Sequence, residues 1–404
     1  MPALAPETPA PPAASVSKFS PGFRVGLFFV ALFAVPGVHL PFWAVWLQSR
    51  GLDPTQISIM LSSAILLRLV AAPLAAHIVD KSGERRRAIQ LCSWASLVVF
   101  AGFAWADGFA ALLLVGIVHA LVWAPIAPLT ENLAVLTAAR HGTQYGRMRL
   151  WGSLSFLVCA YLAGLLLKGR DDAWIFWIIL ALMLPIVVCS HLLPDIRLPL
   201  DRPRAGAPAL RLLRNSDFRI FLATNACLQA THAAFYTFGT LHWRQIGLSD
   251  AQIGLLWAEG VLMEVILFAV GQRVGLKLGG VGLLFCAVAG GVIRWCLQGV
   301  LTDMTSVALL QVLHAATFGA AHLGAMRLMA DHCDPAASAT AQTLYGAGNA
   351  MLLASATMLV GPLYALGLPG LGGGWIYPAM LPLTLLGGGG AWLLWRRRNQ
   401  LSFA

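Results

Sequence analysis

The chain is 404 residues long, with 58% hydrophobic and 11% charged residues, against roughly 45–50% and 25% in soluble domains. A water-soluble globule of this length must cover itself with charge, and this composition cannot, so the main solvent is lipid. The formal net charge of +10 is no nucleic-acid footprint, because the basic residues fall in short loops between apolar runs.

Residues 1–22, rich in Pro and Ala and without an apolar core, read as a disordered tail rather than a signal peptide. Beyond them, crossing ~30 Å of hydrocarbon takes about 20 apolar residues as a helix. A window of that width predicts twelve spans, at 24–48, 54–78, 88–105, 108–137, 144–167, 174–193, 218–243, 251–273, 279–300, 304–329, 337–365 and 375–395. The fold class is thus an all-α membrane protein of about twelve transmembrane helices in two pseudo-symmetric six-helix bundles. The expected divisions are a bundle at 23–193, a linker at 194–217, a second bundle at 218–396 and a tail at 397–404. The seven cysteines show no CxxC pair and no metal spacing, so no metal site is expected.

Basic residues orient the chain. With a cytoplasmic N-terminus, 21 of the 27 Lys and Arg residues fall in inner loops and tails. Only Arg50, Lys168, Arg170 and Arg244 fall outside, a bias that places both termini in the cytoplasm. Arg68 and Arg294 remain within the membrane. A shift of 196 positions lays Gly51-Leu52 on Gly247-Leu248, Gln56-Ile57 on Gln252-Ile253, and Lys81 and Gly83 on Lys277 and Gly279. Internal symmetry of this kind marks transporters, whose two bundles rock about a shared site.

No GxxxxGK[ST], HExxH or GxSxG is present, so the chain reads as no enzyme, with no cofactor and with an ion gradient as the energy source. Ionisable side chains in hydrocarbon each call for a partner or a function. Acids within spans are Glu131, Glu259 and Glu264. Polar stripes at helical spacing run along helix seven (Asn225, Gln229, His232, Tyr236), helix ten (Gln311, His314, Phe318, His322), helix one (His39, Trp43, Trp46) and helix eleven (Gln342, Tyr345, Asn349). Together they point to one aqueous cavity for a small organic ligand with a flat apolar body; an interfacial belt is the other reading of Trp43 and Trp46. Adjacent helices put Glu131 opposite Arg149 and Glu264 opposite Arg294, while duplication sets Arg68 facing Glu264 across the cavity.

With these residues in hand, the chain resembles the major facilitator superfamily. Asp80-Lys81-Ser82-Gly83-Glu84-Arg85-Arg86 is similar to that superfamily's D-[RK]-x-G-[RK]-[RK] loop, which implies a gating role for Asp80, Lys81, Gly83, Arg85 and Arg86; Glu84 is a departure. Tyr145 through Gly152, including Trp151, is similar to a segment of the oligosaccharide:proton symporters. That resemblance assigns substrate binding to Arg149 and Glu131 and recognises Arg294 and His314. Thr317 and Gln311 stand where that family has an acid and a lysine, so its proton path does not transfer and Glu264 takes its place.

A closer resemblance, to the phenylpropionic acid transporter branch, runs through Leu40-Pro41-Phe42-Trp43, Leu228-Gln229, His232-Ala233-Ala234, Glu264-Val265-Ile266 and Gln311 through Phe318. It implies proton-coupled uptake of an aromatic carboxylate across a bacterial inner membrane. Arg149 or Arg294 would hold the carboxylate, Trp43, Trp46 and Phe318 the apolar body, with Trp151 and Glu131 beside them. Glu264, His314 and Glu131 would handle protons. A sugar:proton symporter and an efflux carrier are the alternatives. Expected partners are lipid, a small-molecule substrate and protons, with no nucleic acid, and the chain acting as a monomer.

Overall fold

The computed structural model describes residues 19–196, 208–334, 337–367 and 373–403, and among them every regular element is helical. In the first half α1 is Pro21–Ser49, α2 is Pro54–Ser82 and α3 is Arg85–Ala101. Next, α4 runs as Gly108–Trp123 and Ile126–His141, followed by α5 (Tyr145–Leu167) and α6 (Ala173–Leu192). In the second half α7 runs as Ser216–Ala230 and Ala233–Gln245. Its successors α8 and α9 are the two arms of Asp250–Leu297, which turns at Gly279. The last three are α10 (Met304–Val312 through Ala321–His332), α11 (Ser338–Leu366) and α12 (Leu381–Arg396). Ten of these helices are long and apolar enough to cross a bilayer among the described residues; α7 and α12 complete the predicted twelve. Pro125 interrupts α4 because its ring removes a helical donor.

The repeated letters of the sequence are repeated turns. Gly51 and Gly247 take φ of 82° and 89°, and Gly83 and Gly279 take 72° and 66°, a region that glycine alone enters without strain. After the first pair, Asp53 with Gln56 and Ser249 with Gln252 close matching capping boxes at the starts of α2 and α8, each supplying two partners for otherwise orphaned N–H groups.

The halves meet where α2 crosses α11 and α5 crosses α8, at the end of the molecule away from the termini. There the backbones nearly touch. A Cβ on Gly361 would lie 2.6 Å from the Pro54 carbonyl oxygen, and one on Gly254 would lie 2.5 Å from that of Ala160. Pro54 and Ser58 in one crossing correspond by duplication to Asp250 and Gly254 in the other. Arg244 adds an ionic tie, 2.7 Å from Asp250 and 2.9 Å from Asp172 at the start of α6. One hydrophobic cluster therefore runs through both halves at this end, joining Trp46 and Phe176 to Phe238, Trp257 and Tyr364. At the other end the second half keeps its own cluster of Phe218, Phe221, Leu328 and Phe403. The distal end is closed, and the end bearing the termini is packed as two separate halves.

Three boundaries differ from expectation. Helix α1 begins at Pro21, inside the expected tail; of that tail, residues 1–18 lie outside the described residues. The expected linker at 194–217 contains the helix Pro208–Arg214 and the start of α7, while 197–207 lie outside the described residues. Residues after Arg396 fold back: Asn215 donates to the Ser402 carbonyl at 2.9 Å, and Phe403 is buried against Phe218 and Phe221.

Gly254→Trp combined with Gly361→Trp leaves no room for the indoles at the closed crossings. The expected outcome is a chain that inserts normally but stays open at the distal end. A cysteine placed at Leu40 should then react with an impermeant maleimide from that side; unchanged protection would show that the crossings do not set closure.

Candidate substrate site between the halves

A cavity of about 180 Å³ lies between the halves. The first half contributes Phe33 and Leu40 from α1 and Arg149, Ser153 and Phe156 from α5. Facing them are Phe235 and Tyr236 from α7, Trp257, Gly260 and Glu264 from α8, and Gln311, His314 and Phe318 from α10. Helix α10 is not regular here: Ala315–Ala320 form a π-helical turn directly after His314. Such turns add a residue to the helical repeat and re-aim side chains. The Phe318 and His314 rings stack 5.5 Å apart across it.

Arg149 is the cation of the first half. Its Nε donates to Glu131 Oε1 at 2.9 Å, and the other Glu131 oxygen accepts from the Tyr145 hydroxyl at 2.5 Å. The guanidinium sits 4.0 Å from the centre of the Phe33 ring. Both members of the pair are 32% exposed, so a ligand can reach them. Glu264 belongs to the opposite half, lies 3.8 Å from His314 Nε2, and interacts with Arg149 electrostatically.

Behind this wall a buried network fixes the imidazoles. Arg294, fully buried, donates to His314 Nδ1 at 3.1 Å, to Thr317 Oγ1 at 3.1 Å and to Gln311 Oε1. Its guanidinium also lies over Phe235 at 4.6 Å, a favourable place for a cation. Because His314 Nδ1 accepts from an obligate donor, the proton of neutral His314 sits on Nε2, the nitrogen nearest Glu264. His232 is set the other way round. Its Nδ1 donates to the Gln229 carbonyl at 3.2 Å, leaving Nε2 to accept from Thr317 at 3.0 Å.

The structure therefore divides the residues that the sequence grouped. Arg149, Tyr236, Glu264, Gln311, His314 and Phe318 share the central cavity, and Glu131 supports Arg149. Gln229, His232 and Arg294 stand behind the cavity, in the second half's interior. Glu264 and Arg294 do not pair, since Arg294 has no carboxylate partner among the described residues; its two terminal nitrogens donate to α10, and its buried Nε has no partner among the described residues. His39 and Trp43 line a separate cavity inside the first half, and Arg68 lines that one too, so it does not face Glu264. Trp46 is buried in an aromatic stack with Trp43 and Phe176 and forms no interfacial belt. Trp151 is 55% exposed on the far face of α5, and Asn349 on α11 lines neither cavity.

Sequence reasoning missed Phe33 and Trp257, two of the aromatic walls, and gave Thr317 only as a departure although it joins His232 to Arg294. The loop 80–86 is a latch in form: Arg85 bridges Asp80 at 3.0 Å and donates to Asn132 of α4 at 2.8 Å, and Arg86 donates to the His191 carbonyl of α6 at 2.6 Å. Gly83 supplies its turn, and Lys81 is exposed.

Twelve duplicated membrane helices around a charged cavity define a secondary transporter. Residues 23–359 match the MFS_1 like family, and the chain belongs to it, within the major facilitator superfamily. It is 33% identical to the probable 3-phenylpropionic acid transporter of Escherichia coli (strain K12) over 315 residues, 76% of this chain and 81% of that one. It is 25% identical to the maltose permease of Geobacillus stearothermophilus over 333 residues, 80% of this chain and 83% of that one. The solved structure of the nucleoside transporter NupG superposes with a TM-score of 0.80 at 14% identity, covering 95% of this chain and 100% of that one. These relatives and this fold are those of multi-pass membrane transporters rather than enzymes.

Replacing Thr317 with Val keeps the shape but strips the hydroxyl, leaving His232 Nε2 and one Arg294 donor unpaired. An unsatisfied buried group costs about 1–3 kcal/mol, so the purified variant should melt at a lower temperature; an unchanged melting curve would show the network to be slack.

Proposed function

We propose that the protein is a proton-coupled importer of a small aromatic carboxylate, working by alternating access in a bacterial inner membrane with both termini in the cytoplasm. The observation that carries this reading is a ring-sized cavity with one guanidinium in one half and one carboxyl in the other. A cavity of roughly 150 Å³ holds a benzene, and the central one measures about 180 Å³. The walls around it are aromatic, so the ring of such a ligand packs against Phe33, Trp257 and Phe318. Its carboxylate takes the exposed edge of Arg149 in competition with Glu131. The relative named for 3-phenylpropionic acid supports the same substrate class.

Coupling follows from charge count. With the ligand's carboxylate beside Arg149, which already faces Glu131 at 2.9 Å, a charged Glu264 would make three anions answer to one cation. A proton on Glu264 removes one of those negative charges, so ligand and proton enter together. His314, with Nε2–H held toward Glu264 by Arg294, is the neighbouring group for that proton. No resident cofactor is needed, because the proton gradient supplies the work.

Glu264→Gln fixes the carboxyl in its neutral form. In proteoliposomes with an internal pH dye, this variant should exchange 3-phenylpropionate across the membrane but fail to accumulate it, and should move no protons. Accumulation against a gradient by the variant would refute the coupling role. The maltose permease relative favours a second reading, a sugar:proton symporter. Excess maltose that leaves 3-phenylpropionate uptake unchanged would remove it.

A further inference from the structure

We propose that the first half holds a second binding site, for one small aromatic carboxylate, in the cavity walled by His39, Trp43, Arg68 and His119. This goes beyond the central site and stands on the first half alone. The cavity measures about 150 Å³, the volume that takes a single benzene ring when lined by apolar side chains. Its walls suit a flat guest: Trp43 packs 5.3 Å from Phe100 and 5.1 Å from Phe103, His39 stacks on Trp43 at 5.1 Å, and His119 stacks on Trp123 at 5.8 Å.

The polar groups around it are unspent. His119 Nε2 is buried without a hydrogen-bond partner among the described residues. Arg68 has neither an ion pair nor a hydrogen bond among them, and it stays exposed at the cavity's edge. No acid lines the cavity. An arginine within the hydrocarbon region is costly unless a partner or a function retains it. A guanidinium with no counter-ion, beside an imidazole with no partner and a ring-sized aromatic slot, is complementary to a carboxylate carried on one ring.

Duplication gives an independent reason to read this space as a site. On α2 and α8 a shift of 196 positions carries Leu61, Ala64 and Arg68 onto Trp257, Gly260 and Glu264. On α4 and α10 a shift of 195 carries Gly116, His119 and Trp123 onto Gln311, His314 and Phe318. His39 of α1 likewise corresponds to Phe235 of α7. The first-half cavity is thus the same cavity as the second half's contribution to the central site, built once more by the repeated helices. What changed is the charge, arginine in one copy and glutamate in the other.

Calorimetric titration of the full-length protein in lipid nanodiscs with 3-phenylpropionate, and separately with benzoate, tests the proposal. The wild type should bind two molecules per chain. Arg68→Gln should bind one, and His119→Phe, which keeps the volume and removes the free nitrogen, should also bind one or show the second site weakened at least tenfold. Retained central binding in either variant certifies its fold. One molecule per chain in the wild type, unchanged by Arg68→Gln, overturns the second site and leaves the central reading standing. Two molecules retained in both variants also overturn it. Absence of any binding in the wild type overturns this site and the proposed substrate class together.

Discussion

A charged group can rest in hydrocarbon only where protein encloses it, and Arg294 shows how this chain meets that constraint. An arginine at mid-membrane costs at least about 2.5–3.5 kcal/mol. Here no carboxylate offsets that cost among the described residues. Gln311, His314 and Thr317 accept from the guanidinium, and the faces of Phe235 and Trp295 cover it. The consequence lies one layer away. A salt bridge from Arg294 to Glu264 would lock both charges within one half. Because the two terminal nitrogens of Arg294 donate to α10 instead, Glu264 is left with a histidine beside it and Arg149 across the gap. The buried arginine also sets which nitrogen of His314 carries the proton, so the one acid in the cavity meets a donor of fixed direction.

Closure at the distal end and the placement of the cavity have a common origin in the repeat. In each copy a left-handed glycine and a capping box follow the first helix and fix where α2 and α8 start. Those starts are the surfaces that α11 and α5 approach at backbone distance. Contact through glycine leaves only the small Ser58 side chain between α2 and α11 and backbone alone between α5 and α8, so each crossing has little to repack if it parts. Arg244 bridging Asp250 and Asp172 adds a tie whose strength varies with water access, strong when the end is shut and weak once it opens.

The twelve spans, the duplication and the Glu131–Arg149 pair were all legible in the sequence, because they rest on length, on turn chemistry and on a short loop between adjacent helices. The direction in which a helix face points was not. A soluble helix has a polar side that orients it, but a membrane helix is apolar all round, so a stripe fixes which residues align and not what they face. Hence Trp43 and Trp46 turned into the first half's interior, and Trp151, two residues and so about 200° round the helix from Arg149, turned outward. Glu264 and Arg294 do not pair because α10 offers the guanidinium Gln311, His314 and Thr317 instead, the last from a π-turn invisible to a periodicity of 3.6. Phe33 and Trp257 carry no pattern that separates them from ordinary apolar residues.

The exchange of charge between equivalent positions 68 and 264 divides labour between the two copies. A guanidinium keeps its proton throughout the accessible pH range, so the first copy presents a constant positive charge. A carboxyl can be neutral or negative, so under the proposed function the second copy would change its charge with the proton on Glu264. Arg68 serves the first half's own cavity, whereas Glu264 shares the central one with Arg149, so under the proposed function position 264 is the copy at which a proton would alter the affinity for an anion.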